Sequence, residues 1–180
     1  MSLLTFKNTT QYIAQFIVKK GDLVVARLLG LAPNGEIDVP PDDIYDVQAV
    51  TVIDGNTYKS APLQIQGAVG LLAEITQDAT QGCAEFRLVA SPAEAGNQIS
   101  FAKTTLGPVT FELSKQGKLM QTVIVPDSFQ PKILALSDSY SVYAVLNGVT
   151  TNLVTSSHPA ATITAVSDGA EAGYFSLVIT

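Results

Sequence analysis

Apolar and polar residues alternate in short runs along the chain, with a period of two. The pattern is clear in residues 109–114 (VTFELS), 84–90 (AEFRLVA) and 173–180 (GYFSLVIT). Because successive side chains of a strand point to opposite faces of a sheet, each run predicts a strand with one buried and one exposed face. Residues 68–76 (AVGLLAEIT) have a composition that also suits a helix. They lie between two such runs at hairpin spacing, so we predict a strand there as well.

Turn signals separate these runs at intervals of about 8–12 residues. They are Lys20-Gly21, Pro33-Asn34-Gly35, Asp54-Gly55, Gly82, Gln116-Gly117, Asn147-Gly148 and Asp168-Gly169. Asp-Gly and Asn-Gly pairs tolerate the positive φ angles that two-residue hairpin turns require. A single helical turn, at residues 41–44, is the only helix that the sequence predicts. We therefore predict an all-β protein.

One short sequence occurs twice. Residues 45–50 read YDVQAV and residues 140–145 read YSVYAV. Shorter matches follow in the same order along the chain, and one of them aligns residues 5–10 with residues 100–105. Similar segments in a conserved order indicate an internal repeat, which decides the architecture. Each hexapeptide is predicted to form a central strand of its copy.

The segment between the two copies has the composition of a linker. Residues 91–98 (SPAEAGNQ) are rich in Ala, Pro and Gly and show no periodicity. We therefore predict two tandem β-sandwich domains formed by the internal repeat, at residues 1–90 and 99–180, because the number of short strands in each copy is typical of a sandwich. The alternative is that the copies merge into one larger sandwich or a pseudo-symmetric barrel.

Part of the first copy resembles a known family. The segments GLAPNG (residues 30–35), YDVQAV (45–50), DG (54–55) and SAPL (60–63) are similar to the fibronectin type III pattern around its last two strands. The resemblance covers under half of one copy, and the second copy lacks the leading GLxP. It implies an immunoglobulin-like topology for each predicted sandwich rather than a barrel.

Charge argues against several classes of partner. The formal net charge is −6, the pI is about 4.6, and the basic residues are scattered. Binding to nucleic acid or to an anionic membrane requires a basic patch, and none is visible. No apolar run is long enough to predict a transmembrane helix. The first residues lack the pattern of a signal peptide, so the sequence leaves the compartment open between cytoplasm and leaderless export.

Residues that could carry catalysis are scarce. The chain has one cysteine, Cys83, and one histidine, His158. Cys83 is predicted to be a small hydrophobic residue in a strand. His158 precedes a proline and is predicted to lie in a loop, and no nucleophile elbow accompanies it. We predict no catalytic residue, no cofactor and no enzymatic activity.

One loop is rich in carboxylates. The segment PPDDIYD contains Asp42, Asp43 and Asp46. Calcium prefers several oxygen ligands from one loop, so these residues form a candidate cation loop, although their spacing is not that of an EF-hand. The simpler interpretation is a solvated turn, and we predict no metal site.

These observations favour a structural or protein-interaction module built from duplicated β-sandwiches. Its partner would be another protein or a second copy of the chain, bound through edge strands. Alternatively, self-association would use the faces that carry Ile17, Val50 and Val52. The alternative function is a glycan- or membrane-binding module, lectin-like or toxin-like, that uses loops at one end of a sandwich and, in one variant, calcium.

Overall fold

A computed structural model describes residues 3–78, 83–169 and 174–180. This part of the chain forms 18 β-strands and no helix, which confirms the predicted all-β class. The strands are β1 (Leu4–Asn8), β2 (Ala14–Lys20), β3 (Leu23–Leu31), β4 (Glu36–Val39), β5 (Ile44–Ile53), β6 (Asn56–Lys59), β7 (Leu63–Gln66), β8 (Val69–Asp78), β9 (Cys83–Ser91), β10 (Gln98–Lys103), β11 (Val109–Lys115), β12 (Lys118–Val125), β13 (Lys132–Ala135), β14 (Tyr140–Leu146), β15 (Val149–Thr150), β16 (Val154–Ser156), β17 (Thr162–Ser167) and β18 (Phe175–Ile179).

Two local predictions have opposite outcomes. The ambiguous segment at residues 68–76 belongs almost entirely to strand β8, as predicted. The predicted helical turn at residues 41–44 is wrong, because residues 40–43 have no regular structure and Ile44 already pairs with Gln66 in a sheet. The strand pairing of Ile44 with Gln66 explains this, because it holds the end of the segment in an extended conformation.

The chain divides into two compact units, one of which is built from two separate segments of the sequence. Unit 1 consists of Met1–Asp42 and Ser137–Thr180, and unit 2 consists of Asp43–Leu136. This division differs from the predicted tandem domains at residues 1–90 and 99–180. The segment that was predicted as their linker, residues 91–98, runs from the end of β9 to the start of β10 and lies inside unit 2.

Unit 1 contains two sheets. One has the strand order β18-β17-β1-β4, and the other has the order β15-β14-β2-β3, with β16 also paired to β14. The β1–β17 pair is parallel, and the other pairs of these sheets are antiparallel. The sheets meet through Phe6 and Phe16, two fully buried side chains whose ring centroids are 5.2 Å apart. Their contact therefore places the core of unit 1 between β1 and β2.

Unit 2 also contains two sheets. Their strand orders are β9-β8-β10-β13 and β12-β11-β5-β6, and β7 also pairs with β5. Only the β8–β10 pair is parallel among the pairs of these sheets. The core contains the buried side chains Phe101 and Phe111, whose ring centroids are 5.1 Å apart. Phe101 on β10 and Phe111 on β11 occupy the same places as Phe6 on β1 and Phe16 on β2.

The two units have equivalent strand orders. If β1 is matched with β10, β2 with β11, and so on to β9 with β18, each sheet of unit 1 becomes a sheet of unit 2. Each unit takes strands from both sides of residues 92–97. The pairs that join the two sides are β1–β17 and β2–β14 in unit 1, and β5–β11 and β8–β10 in unit 2.

The repeated hexapeptides lie at equivalent places. They belong to β5 and β14, which have paired strands on both sides, as predicted for central strands. Tyr45 and Tyr140 are buried at corresponding positions. Lys115 places its Nζ 5.4 Å from the ring centroid of Tyr45, and Lys20 places its Nζ 5.5 Å from that of Tyr140. Each contact joins one copy of the hexapeptide to a strand from the other side of residues 92–97.

Three predicted hairpin turns are confirmed. The φ angles are 51° and 79° at Asp54 and Gly55, 49° and 76° at Gln116 and Gly117, and 47° and 76° at Asn147 and Gly148. Consecutive positive φ angles are the requirement that Asp-Gly and Asn-Gly pairs meet in two-residue hairpins. The turn predicted at Gly82 lies outside the described residues.

Candidate interaction surface

Two long edge strands occupy equivalent positions in the two units. Strand β3 has 9 residues and ends one sheet of unit 1, and β12 has 8 residues and ends the matching sheet of unit 2. Within the described part of the chain, β3 pairs only with β2 and β12 pairs only with β11. A long edge strand is a template for pairing with another chain. Residues 23–26 of β3 are buried, and Met120 and Gln121 of β12 already make contacts, so the candidate interaction surface is limited to the parts of these edges around Leu29 and Ile124.

Each of these edge strands carries a strongly exposed aliphatic side chain at an equivalent position, and β12 carries a second one, Leu119, which is 54% exposed. Leu29 on β3 is 73% exposed and Ile124 on β12 is 56% exposed. Leu29 follows Leu28, the partner of the core residue Phe16, and Ile124 follows the equivalent partner of Phe111. The two exposed residues are therefore structural equivalents. Sequence reasoning missed them, although both stand in uncharged stretches of an alternating pattern.

The outer face of the sheet continues the surface in unit 2. The neighbours of Ile124 in register are Thr110 on β11 and then Val50 on β5. We call Ile124, Thr110 and Val50 the outer row of unit 2. Thr110 and Val50 are both half-buried, so the row presents aliphatic groups at its two ends and a hydroxyl between them.

Unit 1 has the equivalent row. Gln15 on β2 pairs in register with Val145 on β14, and it lies where the β2–β3 register shifts next to Leu29. We call Leu29, Gln15 and Val145 the outer row of unit 1. These residues, together with Ile13 and Gly148, line a cleft of about 520 Å³. The row and the cleft together form an exposed surface with apolar ends and a polar middle.

The residues predicted to form an interaction face are divided between the units. Val50 and Val52 lie on β5 of unit 2, and Val52 is 57% exposed. Ile17 lies on β2 of unit 1, opposite Tyr143. The structure thus brings Val50 and Val52 to one sheet face and places Ile17 on a face of the other unit.

His158 lies in a loop, as predicted. It is exposed and follows β16, and its Nδ1 accepts a hydrogen bond of 3.2 Å from the backbone N–H of Ala160. Its own N–H donates to Ser156 Oγ at 3.0 Å. These contacts are short-range and close the loop, and a cleft of about 420 Å³ lies beside them. Neither contact gives the Ser156 hydroxyl a base, because the donor to Ser156 is a backbone amide.

The candidate cation loop is spread over the connection between the units. Asp42 ends the first segment of unit 1, Asp43 begins unit 2, and Asp46 is exposed on β5. In the described part of the chain, no group of three or more His, Cys, Asp or Glu side chains is arranged to hold a metal ion. The backbone of Cys83 begins β9, and its side chain lies outside the described residues.

Lys103 is a buried cation with a structural role. Lys103, at the end of β10, donates from Nζ to the carbonyl oxygen of Thr105 at 2.8 Å and to Ser128 Oγ at 3.1 Å. The equivalent residue at the end of β1 is Asn8, which is also buried and also donates to backbone carbonyls. Both side chains therefore tie down the chain that follows the strand.

No protein-family model, curated protein or solved structure matches this chain. Among the residues that the structure describes, no helix is long and apolar enough to cross a membrane.

Proposed function

We propose that the chain is a non-catalytic structural module built from a duplicated, immunoglobulin-like β-sandwich, and that its partner is a second copy of the same chain. The equivalent strand orders of the two units and the repeated hexapeptides support a duplication. The partner docks on the outer rows and on the edge strands beside them. Pairing along an edge uses backbone groups, so it needs none of the residue types that catalysis or metal binding requires.

The observation that carries this proposal is the exposure of Leu29 and Ile124 at equivalent edge positions. A single exposed aliphatic residue is ordinary on a protein surface. Here the feature occurs in both units, on the longest edge of the same sheet. Edge strands are commonly protected by charged residues or proline. Each of the two edge strands contains one charged residue, Arg27 in β3 and Lys118 in β12, but residues 28–31 and 119–125 around Leu29 and Ile124 contain neither a charge nor a proline.

Two equivalent surfaces also support self-association over binding to one unrelated partner. A chain with a docking surface in each unit is bivalent, so copies can join into closed assemblies or open chains. The formal net charge of −6 limits non-specific clustering through mutual repulsion, which favours association at defined surfaces. The glycan- or membrane-binding alternative has no supporting contact among the described residues and is not proposed.

The test is the molar mass of the purified chain by light scattering over a range of concentrations. The unmodified chain should show a mass that rises with concentration. The double variant Leu29→Lys/Ile124→Lys should remain a single chain, because a lysine at each edge opposes strand pairing. Leu106→Lys is the matched control, since Leu106 is fully exposed outside the strands and should leave association unchanged.

Circular dichroism of all variants should retain the strand spectrum. The proposal fails if the unmodified chain stays a single chain at every concentration. It also fails if the double lysine variant associates as strongly as the unmodified chain.

A further inference from the structure

Unit 1 is assembled from the two ends of the described chain. Residues 1–42 provide β1–β4 and residues 137–180 provide β14–β18, and the covalent connection between these segments runs through unit 2. Unit 2 is a single continuous segment, residues 43–136. Unit 1 is thus formed by two peptide segments that associate without a direct connection.

The contacts between the two segments are extensive. Strand β2 pairs with β14 over seven registered positions, from Ala14 opposite Leu146 to Lys20 opposite Tyr140. Strand β1 pairs in parallel with β17 over four positions. The Tyr12 ring also packs edge-on against Phe175, with centroids 5.5 Å apart.

Neither segment has a complete sheet without the other. Removing residues 137–180 leaves β1 paired only with β4 and β2 paired only with β3. It would also expose the apolar faces that carry Phe6 and Phe16, which are fully buried in unit 1. A two-stranded hairpin is at best marginally stable in water, so residues 1–42 require a complement of the same shape and register as residues 137–180.

A second copy of the chain carries that same complement. The connections between the units, at residues 40–43 and 136–139, have no strand or helix that would have to break for the segments to separate. We propose that residues 137–180 of one chain complete unit 1 with residues 1–42 of a second copy, which yields exchanged dimers or head-to-tail chains. Such an exchange uses only contacts that the single chain already makes.

This inference shares the proposed partner, a second copy of the chain, but describes a separate mode of association, in which the copies join through unit 1 and not through the outer rows. Closure within one chain dominates in dilute solution, because the two segments are held at a high effective concentration. The fraction of chains in exchanged assemblies should rise with chain concentration. Because conversion requires unit 1 to open, an exchanged assembly formed during refolding at high concentration should persist after dilution.

A disulfide across the segment boundary tests the exchange in the full chain. The test variant is Ile17→Cys/Tyr143→Cys in a Cys83→Ser background, because these positions face each other across β2 and β14. The matched control is Ile17→Cys/Arg27→Cys in the same background, since both of its positions lie within residues 1–42 and face each other across β2 and β3.

Each variant is unfolded, refolded at low and at high chain concentration, oxidised, and run on a denaturing gel without reductant. At low concentration both variants should give one oxidised single-chain band. At high concentration the test variant should give a ladder of covalent multiples, and the control should still give single chains.

A test variant that forms only single chains at high concentration overturns the exchange. A ladder of equal intensity in the control also overturns it, because the bonds would then be random. If the unmodified chain associates in light scattering but the test variant gives no ladder, docking through the edges stands and only the exchange is refuted. A chain that never associates refutes both.

Discussion

The side chain of Asn8 offers the sharpest single-residue test of how unit 1 is held together. Asn8 ends β1 and is 1% exposed. Its Nδ2 donates to the carbonyl oxygens of Tyr12 at 2.7 Å and Leu31 at 2.9 Å. Its Oδ1 accepts from the backbone N–H of Thr10 at 3.1 Å and from Thr10 Oγ1 at 2.8 Å. One side chain thus fixes both the β1–β2 connection and the end of β3.

The expected cost of Asn8→Ala follows from these four hydrogen bonds. Each contributes about 1 kcal/mol net, and a buried group left without a partner costs more. Part of the loss is offset, because Thr10 Oγ1 can keep its bond of 3.2 Å to the Tyr12 carbonyl. Water can also reach the Tyr12 and Leu31 carbonyls, which are only partly buried. We expect the free energy of unfolding of unit 1 to fall by about 3 kcal/mol.

The assay is urea denaturation followed by far-ultraviolet circular dichroism, with amide hydrogen exchange to locate the loss. Exchange should accelerate in β1–β3 and at the Thr10 amide. Asn56→Ala is the matched control, because Asn56 is exposed at the start of β6 and should change stability by no more than about 0.5 kcal/mol. A loss in Asn8→Ala no larger than in the control would refute the reasoning.

Two further pairs of substitutions test equivalent or contrasting sites. Ser60 Oγ accepts a hydrogen bond from the Ala49 N–H, and Thr151 Oγ1 accepts the equivalent bond from the Ala144 N–H. Ser60→Ala and Thr151→Val should therefore each lower the free energy of unfolding by about 2 kcal/mol in denaturant titrations. An unchanged midpoint in either variant would contradict the equivalence of the two hydrogen bonds. Gly35→Ala should destabilise the chain by about 1–3 kcal/mol, because the new Cβ would lie 2.8 Å from the Ala32 carbonyl oxygen. Gly96→Ala should be close to neutral in thermal melts, because nothing lies within 4 Å of its Cβ, and equal effects of the two glycine substitutions would show that crowding is not the cause.

Much of the secondary structure follows from local pattern. Alternation identified the strands around residues 109–114 and 68–76, and the Asp54-Gly55 and Asn147-Gly148 pairs identified two hairpins. These features depend on residues that are close in sequence, so a single sequence contains their signal. The helical turn predicted at residues 41–44 is wrong because Ile44 pairs with Gln66, a contact with a distant residue that the local pattern does not contain.

The pairing of strands across residues 92–97 could not be read from the sequence. Because strands on the two sides of these residues have similar alternating patterns, the pattern of β5 does not say whether its partner comes from its own side or from the other side. The choice depends on connection lengths and on packing of the whole unit, which leave no periodic signal. The composition of residues 91–98 suited a linker, but it suits equally the loop between two strands of one unit.

The candidate surface was predicted in kind but not in position. The sequence predicts association through edge strands or through the faces that carry Ile17, Val50 and Val52. The exposed positions Leu29 and Ile124 depend on which strands end a sheet, and that is a property of the long-range pairing. Alternation alone does not distinguish an edge strand from a central strand.

The central claim is that each unit contains strands from both sides of residues 92–97. Cleavage of the folded chain at a protease site placed at Gly96, which lies in this loop and is exposed, tests it directly. The account predicts that the two fragments remain together at the mass of the intact chain in native size exclusion with light scattering, and that they separate only in denaturant. Two folded fragments that separate under native conditions would contradict it.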